Sequence, residues 1–178
     1  EGKGVLCART VDGGRSWALR SWVARAASGY AIMPSTVRLS ERTLLTAVRC
    51  HEAGAFDAGR HWIDLYRSDD DALTWRWFAQ PVPDTGRGGN PPALVRLQDG
   101  RLCLTYGYRA APFGIRARLS ADAGATWEAE IVLRDDAGSP DLGYTRTCQK
   151  PDSTLVTIYY YNDTPGGAAY IAATLWTP

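Results

Sequence analysis

The sequence predicts an all-β fold of four-stranded antiparallel blades, an incomplete part of a six-bladed β-propeller. Three observations carry this reading. An eight-residue turn motif recurs at a spacing that suits one blade, a strand-turn-strand repeat runs in phase with it, and the 178 residues divide into thirteen strand-like runs with no helix.

The motif stands at Thr10-Val-Asp12-Gly-Gly14-Arg-Ser16-Trp17, at Ser68-Asp-Asp70-Asp-Ala72-Leu-Thr74-Trp75, and at Ser120-Ala-Asp122-Ala-Gly124-Ala-Thr126-Trp127. Its shared form is [S/T]-x-D-x-G-x-[S/T]-W. The hydroxyl and the Asp can bond nearby backbone N–H groups and lock a turn, Gly permits a positive φ, and the Trp is expected to pack between strands. Ala72 replaces the Gly of the second copy, so strain or a shifted turn is expected there. The starts at 10, 68 and 120 lie 58 and 52 residues apart, a blade's length of chain.

The second repeat is Ser35 to Leu39 then Leu44 to Val48, Ala93 to Leu97 then Leu102 to Tyr106, and Thr147 to Lys150 then Leu155 to Tyr159. Turns such as Gln98-Asp99-Gly100 join each pair as hairpins. Two further strands complete a unit, as in His61 to Arg67 followed by Trp75 to Gln80, or Gly114 to Leu119 followed by Trp127 to Leu133, with the motif between them. With the four strands of a blade lettered A to D, residues 1–29 hold C and D of one blade. Residues 30–84 and 85–137 are whole blades, and 138–178 hold A, B and C of a last one. Such a stretch leaves open sheet edges, so missing upstream blades of the same chain, or a second copy, are expected to close the propeller.

Composition narrows the partners. The chain is 45% apolar and 22% charged, an ordinary globular balance. Its formal net charge of +1 gives no field that steers it toward nucleic acid, and no run reaches the roughly 18 apolar residues of a membrane-spanning helix. Cys7, Cys50, Cys103 and Cys148 are widely separated, with no C-x-x-C pair. They suggest neither a metal site nor an assignable disulfide, and Cys7, Cys103 and Cys148 read as small buried hydrophobes. No metal or organic cofactor is implied.

Propeller connections alternate between two faces. The Asp motifs mark one of them, so a ligand is expected on the other, at the ends of B strands and the starts of C and A strands. That rim holds Arg49, His51, His61, Asn90, Arg109, Arg116, Asp141, Tyr144 and Arg146. A ring of guanidinium forks and aromatic rings suits an anionic sugar. Tyr159-Tyr160-Tyr161 alternates faces, so Tyr160 is expected to point away from its neighbours.

The three motifs at blade spacing resemble the Asp boxes of the sialidase superfamily, also called BNR-repeat proteins, over nearly the whole chain. The structural box residues are then Asp12, Trp17, Asp70, Trp75, Asp122 and Trp127. The box specifies architecture and also occurs in non-enzymatic propellers, so function must come from other residues. Sialidases grip the sugar carboxylate with three arginines. Arg49, closing Leu44-Leu-Thr-Ala-Val-Arg49, resembles the second of these, and Arg116, in Ala111-Pro-Phe-Gly-Ile-Arg116, resembles the third. Tyr144, in Gly143-Tyr-Thr-Arg, resembles the catalytic tyrosine, a neutral nucleophile that the substrate carboxylate does not repel and that an adjacent Glu activates.

The sequence departs from that pattern where the family has Glu-Pro-x-Val before an A strand, for here Met33-Pro34-Ser-Thr-Val37 stands. The resemblance implies a sialidase-like exo-glycosidase that hydrolyses a terminal acidic sugar, with Arg49 and Arg116 as carboxylate contacts and Tyr144 as the catalytic group. By their place on the rim, Arg109, Arg146, Asn90, His51 and Asp141 are expected as further substrate contacts, with pairing of Arg109 and Arg146 to Asp141 and Asp163 as the alternative. Two alternatives stay open at this level. One is a propeller that binds a glycan or a protein without turnover; the other is a different glycan-cleaving chemistry with His51 or His61 as acid or base.

Overall fold

A computed structural model describes residues 3–54 and 58–178. Among them are thirteen strands and no helix: β1 (Gly4–Arg9), β2 (Ala18–Arg25), β3 (Tyr30–Arg38), β4 (Leu44–His51), β5 (His61–Ser68), β6 (Arg76–Val82), β7 (Ala93–Arg96), β8 (Leu102–Tyr108), β9 (Gly114–Ser120), β10 (Ile131–Arg134), β11 (Gly143–Gln149), β12 (Leu155–Tyr161) and β13 (Tyr170–Trp176). They form antiparallel sheets in the orders β1-β2, β3-β4-β5-β6, β7-β8-β9-β10 and β11-β12-β13. This is the architecture of successive propeller blades, with part of a blade at each end of the chain.

The blades stack face to face because every strand alternates an inward and an outward row of apolar side chains. Val5 and Val23 of the first hairpin pack on Ala31, Val48 and Cys50 of the second sheet. That sheet's other face gives Leu45, Ala47, Ile63 and Leu65, which meet Leu94, Leu102, Leu104 and Tyr106 of the third. The third and last sheets share Leu97, Cys103, Leu119 and Leu155, and also Ile115, Leu142, Tyr159 and Tyr161. Tyr159 and Tyr161 are thus core rings, whereas Tyr160 points the other way. Cys148 lies exposed rather than buried, in a row with Val156 and Leu175 on a face of the last sheet that no other sheet covers among the described residues.

All three Asp turns join a C strand to a D strand and share one hydrogen-bond scheme. In the third, the Gly124 N–H donates to Ser120 Oγ (2.9 Å), the Thr126 N–H donates to Asp122 Oδ1 (2.9 Å), and Thr126 Oγ1 donates to Asp122 Oδ2 (2.5 Å). In the second, Ala72 N–H, Thr74 N–H and Thr74 Oγ1 make the equivalent bonds at 2.9, 2.9 and 2.6 Å. The turn is therefore not shifted by Ala72; it adopts φ 62° where Gly14 and Gly124 take 90°. The left-handed region costs a residue with a Cβ about 1 kcal/mol more than Gly, a strain that the retained bonds offset.

The motif tryptophans follow their blades. Trp127 packs on the cluster shared with the preceding sheet, and Trp75 does the same against the first hairpin. Trp17 is 64% exposed rather than packed between strands, and its indole N–H donates to the Gly14 carbonyl (3.2 Å).

Innermost in each sheet are β3, β7 and β11, which neighbour one another around the axis. Cross-blade bonds fix them there. The Leu94 N–H donates to Ser35 Oγ (2.9 Å), and Thr145 Oγ1 donates to the Thr105 carbonyl (3.0 Å). The open ends of these three strands, on the side away from the Asp turns, position the candidate site.

Candidate functional site

β3 and β11 both begin with an irregularity. The register of β3 on β4 slips between Ile32 and Ser35, and that of β11 on β12 slips between Gly143 and Arg146. At the centre of each slip is a bulky residue in the left-handed region, Met33 at φ 52° and Tyr144 at φ 53°. Such a conformation is an outlier for large side chains and costs about 1–3 kcal/mol, so the surrounding structure must impose it. Counting back from the paired rows puts Pro91 at the corresponding place before β7. Met33, Pro34, Pro91, Tyr144 and Arg146 together line a pocket of about 160 Å³ at the axis. Three blades each contribute to it.

What imposes the turn at Tyr144 is Asn90. Its side chain is wholly buried, donates from Nδ2 to the Leu142 carbonyl (2.9 Å), and accepts at Oδ1 from the Tyr144 N–H (3.0 Å) and the Gly107 N–H (3.3 Å). A Cβ on Gly143 would stand 2.3 Å from Asn90 Nδ2, so the close approach requires glycine there. Asn90 thus lies beneath the pocket and holds Tyr144, whose ring is 43% exposed at its mouth.

Beside Tyr144 runs a polar chain. Arg109 donates through Nε and Nη2 to the Leu142 carbonyl (3.1 and 2.9 Å) and through Nη2 to Tyr160 Oη (2.6 Å). Tyr160 donates in turn to Asp141 Oδ1 (2.7 Å), and its ring centroid is 5.8 Å from that of Tyr144. Burial, and then the bond to the Asp141 carboxylate, push the Tyr160 hydroxyl up to about 12, so it stays protonated near neutral pH. Asp141 itself is exposed, and the Asn162 amide donates to its carbonyl (2.7 Å).

On the opposite wall, Arg49 lies buried behind Met33. It donates from Nη1 to Met33 Sδ (3.3 Å) and from Nη2 to the Gly88 carbonyl, and its Cζ stands 5.4 Å from the Tyr30 ring centroid. Arg146 is exposed in the pocket, with Nη1 donating to the Thr145 carbonyl (2.8 Å). The pocket therefore carries an accessible guanidinium, a phenol and a thioether, with two more guanidiniums just behind.

The structure does not bring all the sequence-derived residues to this point. Arg116 is 3% exposed and lies between the second and third blades. There it pairs with Glu130 (3.2 Å) and donates to the carbonyls of Arg134 (2.5 Å) and Pro112 (2.9 Å). His51 and His61 are buried strand-end residues whose rings stack at 4.1 Å, with Tyr30 stacked on His51 at 4.7 Å. His51 Nε2 is 2.8 Å from the Ala58 carbonyl. Sequence reasoning did not place Pro91 or Tyr30. The signal for Pro91 was its common position with Met33 and Tyr144 in the repeat.

No family model matches this sequence, nor does any curated protein sequence. Solved structures do match. A protein of unknown function from Dyadobacter fermentans is 32% identical with a TM-score of 0.77, over 94% of this chain and 44% of that one. The α-L-arabinanase of Penicillium chrysogenum, complexed with arabinobiose, is 20% identical with a TM-score of 0.71, over 97% of this chain and 54% of that one. A Hadza microbial sialidase is 17% identical with a TM-score of 0.59, over 82% of this chain and 35% of that one. The chain thus spans about half the length of the first two. The fold is that of a β-propeller, and its structural neighbours include glycoside hydrolases.

Proposed function

We propose that the axial pocket binds the terminal acidic sugar of a glycan, and that the propeller to which this chain contributes is a sialidase-like exo-glycosidase. The observation that carries the reading is Tyr144, locked by Asn90 into a strained left-handed turn at the mouth of a pocket shared with Arg146. Strain of this kind clusters where geometry serves a ligand. Arg146 presents a guanidinium that can grip a carboxylate, and Arg49 and Arg109 add positive potential from behind. Tyr144 supplies a phenol whose oxygen bonds to the anomeric carbon as the glycosidic C–O bond breaks, the phenol's proton passing to the departing aglycone oxygen. Being neutral, the phenol is not repelled by the sugar's own carboxylate.

Further blades, from the same chain or a second copy, complete the site. Open apolar faces at both ends support this: Leu6 and Leu19 on the first hairpin, and Ile158, Ile171 and Leu175 on the last sheet, are each 45% exposed or more. An unpartnered sheet of this kind calls for a cover.

A second reading, glycan binding without turnover, is favoured by Met33. It stands in the pocket where a carboxylate would have to accept the phenol's proton, and a thioether cannot do so. The test uses the full-length protein and an aryl sialoside, comparing wild type with Tyr144→Phe. Release of sialic acid by wild type and its loss in the variant support the enzyme. Binding of the sugar by both with no release supports the second reading, and absence of binding refutes both.

A further inference from the structure

The ligand face carries a second cavity, of about 250 Å³, between the first hairpin and the second sheet. Ser28 of the β2–β3 connection, Tyr30, Glu52, Trp62, Asp64 and Tyr66 line it. Asp64 is 7% exposed, and its oxygens accept hydrogen bonds from Gln80 Nε2 (3.1 Å) and Trp62 Nε1 (2.7 Å), with the Cys50 thiol also against the carboxylate. A carboxylate has about four lone-pair directions, so Asp64 keeps acceptor capacity for a ligand hydroxyl.

The repeat explains why the cavity exists. Asp64 lies four residues before the Ser68 that opens its Asp turn and pairs with Val48; Arg116 lies four residues before Ser120 and pairs with Tyr106. The two positions correspond. Between the second and third blades the long Arg116 side chain occupies this place with its partner Glu130, whereas between the first and second blades the short Asp64 leaves it open.

Carboxylates in the lining distinguish this cavity from the axial pocket. Around Tyr144 the nearby cations are Arg146, Arg49 and Arg109. Among the described residues, the ionic side chains lining this cavity are two carboxylates, Asp64 and Glu52, and Arg25, whose guanidinium lies 4.1 Å from the Trp22 ring centroid, while Arg60 stands behind the wall, 5.1 Å from the Trp62 ring centroid. Aromatic walls with a buried carboxylate suit a neutral sugar, whose C–H face stacks on the rings while a hydroxyl donates a charge-assisted bond. The cavities are also neighbours. The Tyr30 ring lines this one, Arg49 stands beside that ring, and Arg49 reaches Met33 of the axial pocket.

We propose that the interblade cavity is a second carbohydrate subsite, taking a neutral sugar unit of the same glycan whose acidic end occupies the axial pocket. The pairing with an acidic end rests on the reading of the axial pocket given above; the cavity's own chemistry does not.

The experiment uses the full-length protein in a Tyr144→Phe background, so that no turnover intervenes, with N-acetylneuraminic acid, 3′-sialyllactose and lactose as probes. A further Ser28→Trp substitution on the exposed lip of the cavity fills it without touching the core. Titration is expected to show 3′-sialyllactose bound about tenfold more tightly than the free acid, and Ser28→Trp to erase the difference while leaving the free acid's affinity unchanged. Equal affinities before the blocking substitution, or a preference that survives it, would overturn the proposal.

A second readout separates the two sites. With Arg146→Ala disabling the axial pocket, lactose should still shift the Trp62 indole N–H resonance. No shift refutes the subsite, whereas a shift in a protein that binds no acidic sugar refutes the axial reading alone and leaves the subsite standing.

Discussion

Replacing Asn90 with alanine tests how the site is built. The side chain is 0% exposed and makes three hydrogen bonds, two of which tie the third blade to the last while the one from Gly107 lies within the third. One partner, the Leu142 carbonyl, keeps its bonds from Arg109 in the variant. The N–H groups of Tyr144 and Gly107 lose their acceptor. A buried donor left unsatisfied costs about 1–3 kcal/mol, and the longer Gly107 contact stands at the low end of that range. The expected loss of stability is therefore about 2–4 kcal/mol, with the small cavity left by the amide adding to it. Denaturant unfolding of the full-length protein reads this, and the same sample reports affinity for an acidic sugar. Stability should fall and affinity should fall with it, because Tyr144 no longer has a partner holding its turn. A change under about 0.5 kcal/mol, the ordinary scatter of surface substitutions, would refute the assignment of Asn90 as the latch.

Further outcomes follow from the same geometry. Gly143→Ala places a methyl 2.3 Å from Asn90 Nδ2 at φ +114°, and should reproduce the affinity loss of Asn90→Ala in the same titration. Arg146→Ala should weaken acidic-sugar binding by about tenfold or more without moving the unfolding midpoint, because the side chain is exposed and contributes little to packing. Hydrogen bonds from Thr74 and Thr126 hold Asp70 and Asp122 down to about 2, below the usual carboxylate range near 4. A depressed carboxylate contributes stability that is full above its unfolded value and lost as pH falls through its folded one. Thermal unfolding midpoints should therefore drop between about pH 4 and pH 2, and Asp122→Asn should flatten part of that drop.

Most of the fold was legible because the Asp turns and hairpins repeat the same local chemistry. The pairs Ser68/Asp70 and Ser120/Asp122 fix where each C strand ends, and the apolar runs then locate their partners by alternation. Two boundaries moved for physical reasons. β3 begins at Tyr30 rather than Ser35, because Tyr30 to Ile32 pair with Arg49 to His51 before the slip at Met33. β10 is confined to Ile131–Arg134, because Trp127 is spent on closing the turn and packing on the preceding blade.

The site was less legible because its parts depend on partners distant in sequence. Nothing near Arg116 announces that Glu130 pairs with it, and nothing near Tyr144 announces Asn90, 54 residues earlier. Gly143 and Pro34 were the local traces of the two strained turns. The interblade cavity becomes visible only when Asp64 is set beside Arg116 as the same position in successive repeats.

The central claim is that Tyr144 and Arg146 face the reacting end of an acidic sugar on the propeller axis. A crystal structure of the full-length protein with N-acetylneuraminic acid tests it most directly. The account predicts the sugar between Met33, Pro91 and Tyr144, with its carboxylate on the Arg146 guanidinium and its anomeric carbon toward the Tyr144 hydroxyl. A sugar bound on another face, or an axial pocket filled only by water at saturating ligand, would contradict it.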